Sequence, residues 1–153
     1  MPSKQKTKGF TLIELLVVIA IIGLLAAIVL VSLNTARQKA RDTRRIGDIR
    51  QIALGLELYY DNNNNAYPGD VDATTCDDWA AMVTAIQTGG YMTVVPTDPG
   101  GGSAAYAYNT NLVDYVLRAQ LELATNPAFA TDVDGTVLGC NCADASRYYC
   151  IQP

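Results

Sequence analysis

Lys8-Gly9-Phe10-Thr11-Leu12-Ile13-Glu14, followed at once by an apolar run reaching Leu33, decides how this chain is built. Residues 10 to 33 are long enough to cross a bilayer as one helix. Within that run Glu14 is a lone carboxylate. A charge at membrane depth costs roughly 3 kcal/mol unless it finds a partner. No cation lies between Leu15 and Thr35, so the chain offers no internal counter-charge nearby. The counter-charge is expected from another molecule, or from a new amino group made by cutting the chain. Both expectations describe a subunit of an assembly.

The helix is expected to continue past the membrane segment. No proline occurs between Pro2 and Pro68. Ala36, Ala40, Ile46, Ile49, Ala53, Leu56 and Tyr60 recur at three- and four-residue steps and form one apolar stripe, while Arg37, Arg41, Arg44 and Asp48 fall elsewhere. A helix from Phe10 to Tyr60 would be roughly 75 Å long at 1.5 Å per residue. Gly23, Gly47 and Gly55 weaken it by about 1 kcal/mol each relative to alanine. Gly23 fits a close-packing point or a place where the helix extends. Asp61-Asn62-Asn63-Asn64-Asn65 is a turn sequence that ends the helix, with Tyr59, Tyr60 and Tyr67 packed at the corner. The chain therefore divides into a leader (1–9), a membrane half of the stem (10–33), an amphipathic half (34–61) and a head (62–153).

The head reads as a short helix with Trp79, Met82, Val83 and Ile86 on one face, capped by Thr75 or Asp77 and ended by Gly89. Tyr91 to Val95 is expected as a strand or extended segment stopped by Pro96, and Thr97 to Gly102 as a flexible turn. Residues 104 to 109 alternate through Tyr106 and Tyr108. Val113, Tyr115, Leu117, Ala119 and Leu121 alternate with Asp114, Arg118, Gln120 and Glu122, the period of a half-buried strand. A turn at Asn109 to Asn111 would join the two as a hairpin, and a last strand is expected from Ser146 to Ile151. The fold class is α+β: a long N-terminal helix whose second half packs on a small head of three or four antiparallel strands.

Charge is uneven. Residues 37 to 50 hold Arg37, Lys39, Arg41, Arg44, Arg45 and Arg50 against Asp42 and Asp48. From Asp61 onward ten aspartates and one glutamate face Arg118 and Arg147. The basic stem either meets the acidic head of a neighbouring copy or faces lipid phosphates. An acidic head opposes general nucleic-acid binding, which needs cations for the phosphates. The chain has no histidine, which removes Ser-His-Asp and Cys-His catalysis and every histidine metal ligand. No phosphate loop or clustered acid–base pair is present, so an enzyme is not expected.

All four cysteines, Cys76, Cys140, Cys142 and Cys150, lie in the head. Outside the cytoplasm they would form two disulfides. A Cys140–Cys142 bond closes a very tight ring. That leaves Cys76 joined to Cys140 or to Cys142, with Cys150 taking the other. A four-thiolate zinc site is the competing reading, and the absence of any C-x2-C knuckle speaks against it. Asp132-Val133-Asp134-Gly135 offers two carboxylates and a turn glycine. It reads first as a surface turn and second as a calcium loop, without the third acidic ligand and distant glutamate of an EF-hand.

The segment Gly9-Phe10-Thr11-Leu12-Ile13-Glu14-Leu15-Leu16-Val17-Val18-Ile19-Ala20-Ile21-Ile22-Gly23 resembles the class III signal segment of type IV pilins and type II secretion pseudopilins. The likeness is close from Lys8 to about Ile28 and resumes from Tyr59-Tyr60 to Tyr67-Pro68. It implies that a prepilin peptidase cuts between Gly9 and Phe10 and that Phe10 is N-methylated. It implies that Phe10 and Glu14 act in assembly, the carboxylate of one subunit neutralising the new amine of its neighbour. The implied product is a homo-oligomeric helical filament, extended by an inner-membrane assembly platform with a cytoplasmic ATPase. Before assembly the chain would sit in the inner membrane as a single-pass protein with its head outside; after assembly it would be in an extracellular pilus. Counting positive charges alone would instead put the stem inside. A major pilin is the first reading, supported by the disulfide-clamped tail. A type II secretion pseudopilin is the second, because Tyr91, Pro96, Asp98-Pro99, Tyr106 and Tyr108 are similar to the sheet entry of major pseudopilins. A membrane-anchored binding protein that keeps its leader is the alternative from another class. Some secretion pseudopilins bind calcium in the C-terminal loop, which bears on Asp132 and Asp134.

Overall fold

In the computed structural model residues 9–70, 74–101 and 106–153 are described. The expected leader lysines Lys4, Lys6 and Lys8, and the positions Gly102 and Ala104 of the expected turn and strand, lie outside them. The chain resolves into two units, residues 1–37 and 38–153.

Helix α1 runs from Leu12 to Asn62, 51 residues without a break. In the first unit its apolar side chains are bare, with Leu12 79 % and Leu30 61 % exposed. This helix is long and apolar enough to cross a membrane. In the second unit one face of α1 is buried through Ile49, Ile52 and Leu56. Ala36 and Ala40, expected on that stripe, are exposed. The buried face is continued downward by Asp42 and Arg45, at the same three- and four-residue steps. Periodicity finds apolar side chains, so charged residues occupying a core position escape it. Gly55 is needed where it stands: a Cβ there would lie 2.8 Å from the Met92 sulfur.

Asn64 and Asn65 adopt left-handed backbone just past the helix end, a conformation asparagine tolerates. Tyr60 packs tilted on Tyr67 (4.5 Å between centroids) and Tyr59 meets Tyr91 edge to face (5.4 Å), so the tyrosines do pack at this corner.

Helix α2 spans Trp79–Thr88, buries Met82 and Ile86, and ends at Gly89. Its N-cap is Asp78, not Thr75 or Asp77; the Thr75 hydroxyl is spent on the Asp77 carboxylate. Residues 91–95 form no strand. The N–H groups of Tyr91 and Met92 both go to the Ile86 carbonyl, closing α2. Met92 and Val95 are buried while Val94 is 70 % exposed, which is not strand alternation.

The sheet has the order β1-β2-β5, with β1 at Ala107–Thr110, β2 at Tyr115–Gln120 and β5 at Tyr148–Ile151. Both pairings are antiparallel. Thr110 faces Tyr115, so the hairpin turn is residues 111–114, later than expected. Asn109 is fully buried inside β1 and bonds the Leu138 carbonyl. The last strand starts at Tyr148, because Arg147 takes left-handed backbone after the 3-10 turn Asp144–Ser146. A two-stranded ribbon, β3 (Thr136–Val137) with β4 (Cys140–Asn141), completes the head.

Both faces of the sheet are covered. Tyr108, Tyr115, Leu117, Ala119 and Tyr149 pack with Ile49, Ile52, Leu56, Met82 and Ile86. Val116 lies in a second cluster with Cys140, Cys142 and Cys150. The half-buried strand expected from alternation is therefore wet on neither side at Val116. The disulfide-bound tail supplies the second cover.

Candidate functional site

At the start of α1 the Glu14 carboxylate accepts hydrogen bonds from the Thr11 N–H (2.8 Å) and the Thr11 hydroxyl (2.7 Å). The Glu14 N–H in turn donates to the Thr11 oxygen at 3.3 Å. This is a capping box: Ncap threonine and N3 glutamate satisfy each other's orphan donors. Glu14 thus has an intrachain hydrogen-bonding partner, although no cation. The T-x-x-E spacing of Thr11 and Glu14 was the available signal for it. The second carboxylate oxygen, Oε1, has no hydrogen-bond partner among the described residues. Gly9 has open space around it, and Phe10 is 91 % exposed.

The cysteines close two disulfides, Cys76–Cys140 and Cys142–Cys150. Of the two arrangements left open by the sequence, this is the one adopted, and no cysteine is free for zinc. The second bond, with the hydrogen bond from the Cys142 N–H to the Gly135 carbonyl (2.7 Å), folds the tail back on the loop at 132–135.

That fold brings a third carboxylate to Asp132 and Asp134. One ligand oxygen each from Asp132, Asp134 and Asp144 lies within 4.8 Å of the others. The third carboxylate missing from the local sequence comes from the 3-10 turn after Cys142, a link that spacing does not reveal. Asp132 Oδ2 accepts the Cys150 N–H at 3.1 Å, while Oδ1 is buried with no hydrogen-bond partner. Burial pushes the Asp132 carboxyl up, against the Cys150 N–H, and the neighbouring Asp144 and Asp134 charges add to the rise. Three carboxylates, one of which carries the orphaned buried oxygen, offer the hard oxygen donors that a calcium-type cation takes.

A buried ionic cluster that no local sequence pattern signals joins α1 to the head. Arg45, 3 % exposed, reaches Asp98 with Nε and Nη2 (2.7 and 3.0 Å), and both Asp42 and Glu122 with Nη1 (2.9 Å each). Arg41 forks onto Glu122 at 2.6 Å through both oxygens. Asp42 also accepts the Glu122 and Leu123 N–H groups. Arg41 and Arg45 are therefore spent within their own chain, which corrects the expectation that the basic stem serves only neighbours or lipid. Lys39 and Arg50 make no ion pair among the described residues.

A membrane-anchored stem helix beginning in a carboxylate box, carrying a small disulfide-clamped antiparallel head, defines a structural subunit of pilin-like architecture. Comparison with known proteins agrees. Residues 4–30 match the family model of the prokaryotic N-terminal methylation motif. The chain is 35 % identical over 102 residues to the type II secretion system core protein G of Aeromonas hydrophila, covering 64 % of this chain and 71 % of that protein. It is 34 % identical over 107 residues to core protein G of Escherichia coli K12, covering 66 % and 72 %. It is 44 % identical over 61 residues to the type IV wide pilus major component PilA4 of Thermus thermophilus, covering 40 % and 47 %. No solved structure gives a significant match. The chain belongs to the type IV pilin and type II secretion pseudopilin family, and it is a structural subunit, not an enzyme.

Proposed function

We propose that this chain is the repeating pseudopilin of a type II secretion filament. One observation carries the choice. The likeness to core protein G extends over 102 and 107 residues, more than α1 and everything before it, so it reaches into the head. The 61-residue likeness to the wide pilus component is no longer than that N-terminal part. A type IV pilus subunit, the first expectation from the sequence, becomes the second reading.

In this function a prepilin peptidase cuts between Gly9 and Phe10, and Phe10 is N-methylated. Cutting there leaves Thr11 N–H in a peptide bond, so the capping box survives processing. The carboxylate Oε1 remains open to the Phe10 amine of an adjacent copy. Pairing charges this way sets register along the filament, the best-attested use of buried ion pairs. Bare apolar stems are buried among copies, and the contact is heterologous and open, which propagates without closing. Before assembly the chain is held in the inner membrane with its head outside. An assembly platform with a cytoplasmic ATPase extracts it. Asp132, Asp134 and Asp144 hold a calcium ion that neutralises their mutual repulsion and rigidifies the tail.

N-terminal mass analysis and filament yield test the reading together. The mature chain is expected to begin at methylated Phe10. Glu14→Ala is expected to be inserted and cut normally but to be lost from sheared filaments. An intact Met1 on a protein that never polymerises refutes the proposal.

A further inference from the structure

Two exposed surfaces of residues 38–153 complement each other, and they lie at opposite ends of the head. The first is a groove of about 520 Å³ beside α1, lined by Lys39, Thr43, Ile46, Arg50, Leu123 and Pro127 among others. Its walls are apolar at Ile46, Leu123 and Pro127 and cationic at Lys39 and Arg50. Neither cation has an ion-pair partner among the described residues, unlike Arg41, Arg44 and Arg45 of the same stem.

The second surface is the hairpin tip. Val113 is 66 % exposed, and the adjacent Asp114 carboxylate is exposed and unpaired among the described residues. The tip is held rigid. Asn111 Oδ1 accepts the N–H groups of Val113 (3.0 Å) and Asp114 (2.7 Å). Thr110 Oγ1 accepts the Leu112 N–H and donates to the Asp114 carbonyl, both at 2.8 Å. Leu112 sits at φ 73°, a costly conformation for a leucine, and its carbonyl is tied to the Tyr67 N–H at 2.9 Å. These bonds hold the exposed valine and carboxylate in one fixed shape.

We propose that the Val113-Asp114 tip of one copy docks in the Lys39–Arg50 groove of a second copy. Val113 packs on Ile46, Leu123 and Pro127, and Asp114 lies between Lys39 and Arg50. One molecule cannot make this contact with itself. The tip is anchored at Tyr67, whose side chain lies against Glu57 and Tyr60 in the last turns of α1, and the groove is centred on Ile46, so about 17–21 Å of helix separates them at 1.5 Å per residue. Unlike patches at opposite ends give a head-to-tail contact, the kind that builds filaments. The proposal rests on the filament reading and names its axial interface.

The test uses the full-length chain in cells, with sheared filaments measured against total protein. Asp114→Lys turns both attractions, to Lys39 and to Arg50, into repulsions at every repeat and is expected to lower filament yield about tenfold, while Arg50→Glu reverses one of the two and is expected to lower it less. The double variant, Asp114→Lys with Arg50→Glu, is expected to give clearly more filament than Asp114→Lys alone, because the pair at position 50 is restored with its sign exchanged while Lys39 still repels the new lysine. A photo-crosslinking benzoylphenylalanine at Val113 is expected to reach residues 39–50 or 123–128 of a different copy. Single variants at wild-type yield, a double variant no better than Asp114→Lys alone, or a crosslink to another surface overturns the docking while leaving the filament reading intact. Should Asp114→Lys fail to fold, Asp114→Asn and the crosslink decide. A wild-type chain that is never recovered in sheared material removes the filament reading, and the docking with it.

Discussion

Replacing Arg45 by methionine keeps most of the side-chain volume and removes four hydrogen bonds, three of which tie α1 to the head: two to Asp98 and one to Glu122, while the fourth, to Asp42, lies within α1. The loss falls unequally. Glu122 keeps its fork from Arg41, and Asp42 keeps two backbone N–H donors. Asp98, 6 % exposed, keeps the Gly100 N–H and loses its counter-charge. Stripping one partner from a buried ion pair costs about 3–5 kcal/mol, most of it the penalty of the charge left behind. For a unit of this size that lowers Tm by roughly 12–20 °C. Adding Asp98→Asn to Arg45→Met removes the stranded charge and is expected to recover about half of the loss. Arg44→Ala is the control: its side chain is 63 % exposed and lies 3.8 Å from Asp48. It is expected to change stability by less than about 0.5 kcal/mol. Thermal unfolding of the full-length chain in detergent, followed by near-UV circular dichroism, reads all four proteins. A Tm drop below about 3 °C for Arg45→Met, or a double variant less stable than the single, would show that the cluster does not hold stem to head.

The Arg41 hydrogen bonds hold the Glu122 carboxyl at about 2 against an ordinary 4.5. A carboxyl lowered by folding stabilises the protein above its unfolded value, and that contribution is lost as pH falls from about 4.5 toward 2. Acid titration of Glu122→Gln is accordingly expected to give a flatter loss of stability across that window; an unchanged acid limb contradicts the assignment. The Cys76–Cys140 bond closes a 64-residue separation and Cys142–Cys150 one of 8. Chain-entropy estimates are about 4 and 2.5 kcal/mol, so removing the first by paired serine substitutions is expected to lower the melting temperature more, and the reverse order would refute the estimate. Calcium is expected to raise the melting temperature of the wild type, chelation to reverse this, and Asp144→Ala to abolish the response; an equal response in that variant would exclude Asp144 as a ligand.

Local pattern carried much of this molecule. The apolar run, the absence of proline before Pro68 and the asparagine cluster at 62–65 gave one long helix and its end. Alternation from Tyr115 to Leu121 gave the central strand. The strand expected at 91–95 failed because Tyr91 and Met92 spend their N–H groups on the end of α2, a commitment that composition does not record. Ala36 and Ala40 failed for the converse reason. Small apolar residues satisfy a periodic pattern whether or not anything packs on them, and here Asp42 and Arg45 hold the buried positions. Glu14 stands out in the sequence as a lone carboxylate in an apolar run; its Thr11 partner is a capping contact, which the T-x-x-E spacing encodes and a search for counter-charges does not find.

Residues adjacent in the chain determined the membrane stem, the carboxylate at its start, the two-disulfide head and the family, since each depends on spacing within a few turns or on residue type alone. Tertiary structure decided which cysteines pair, that Asp144 joins Asp132 and Asp134, and that Arg45 binds Asp98 and Glu122 instead of a neighbour. Those outcomes depend on distances between side chains tens of residues apart. Such distances are set by how α1 and the sheet bury their apolar faces against each other, and no local pattern encodes them.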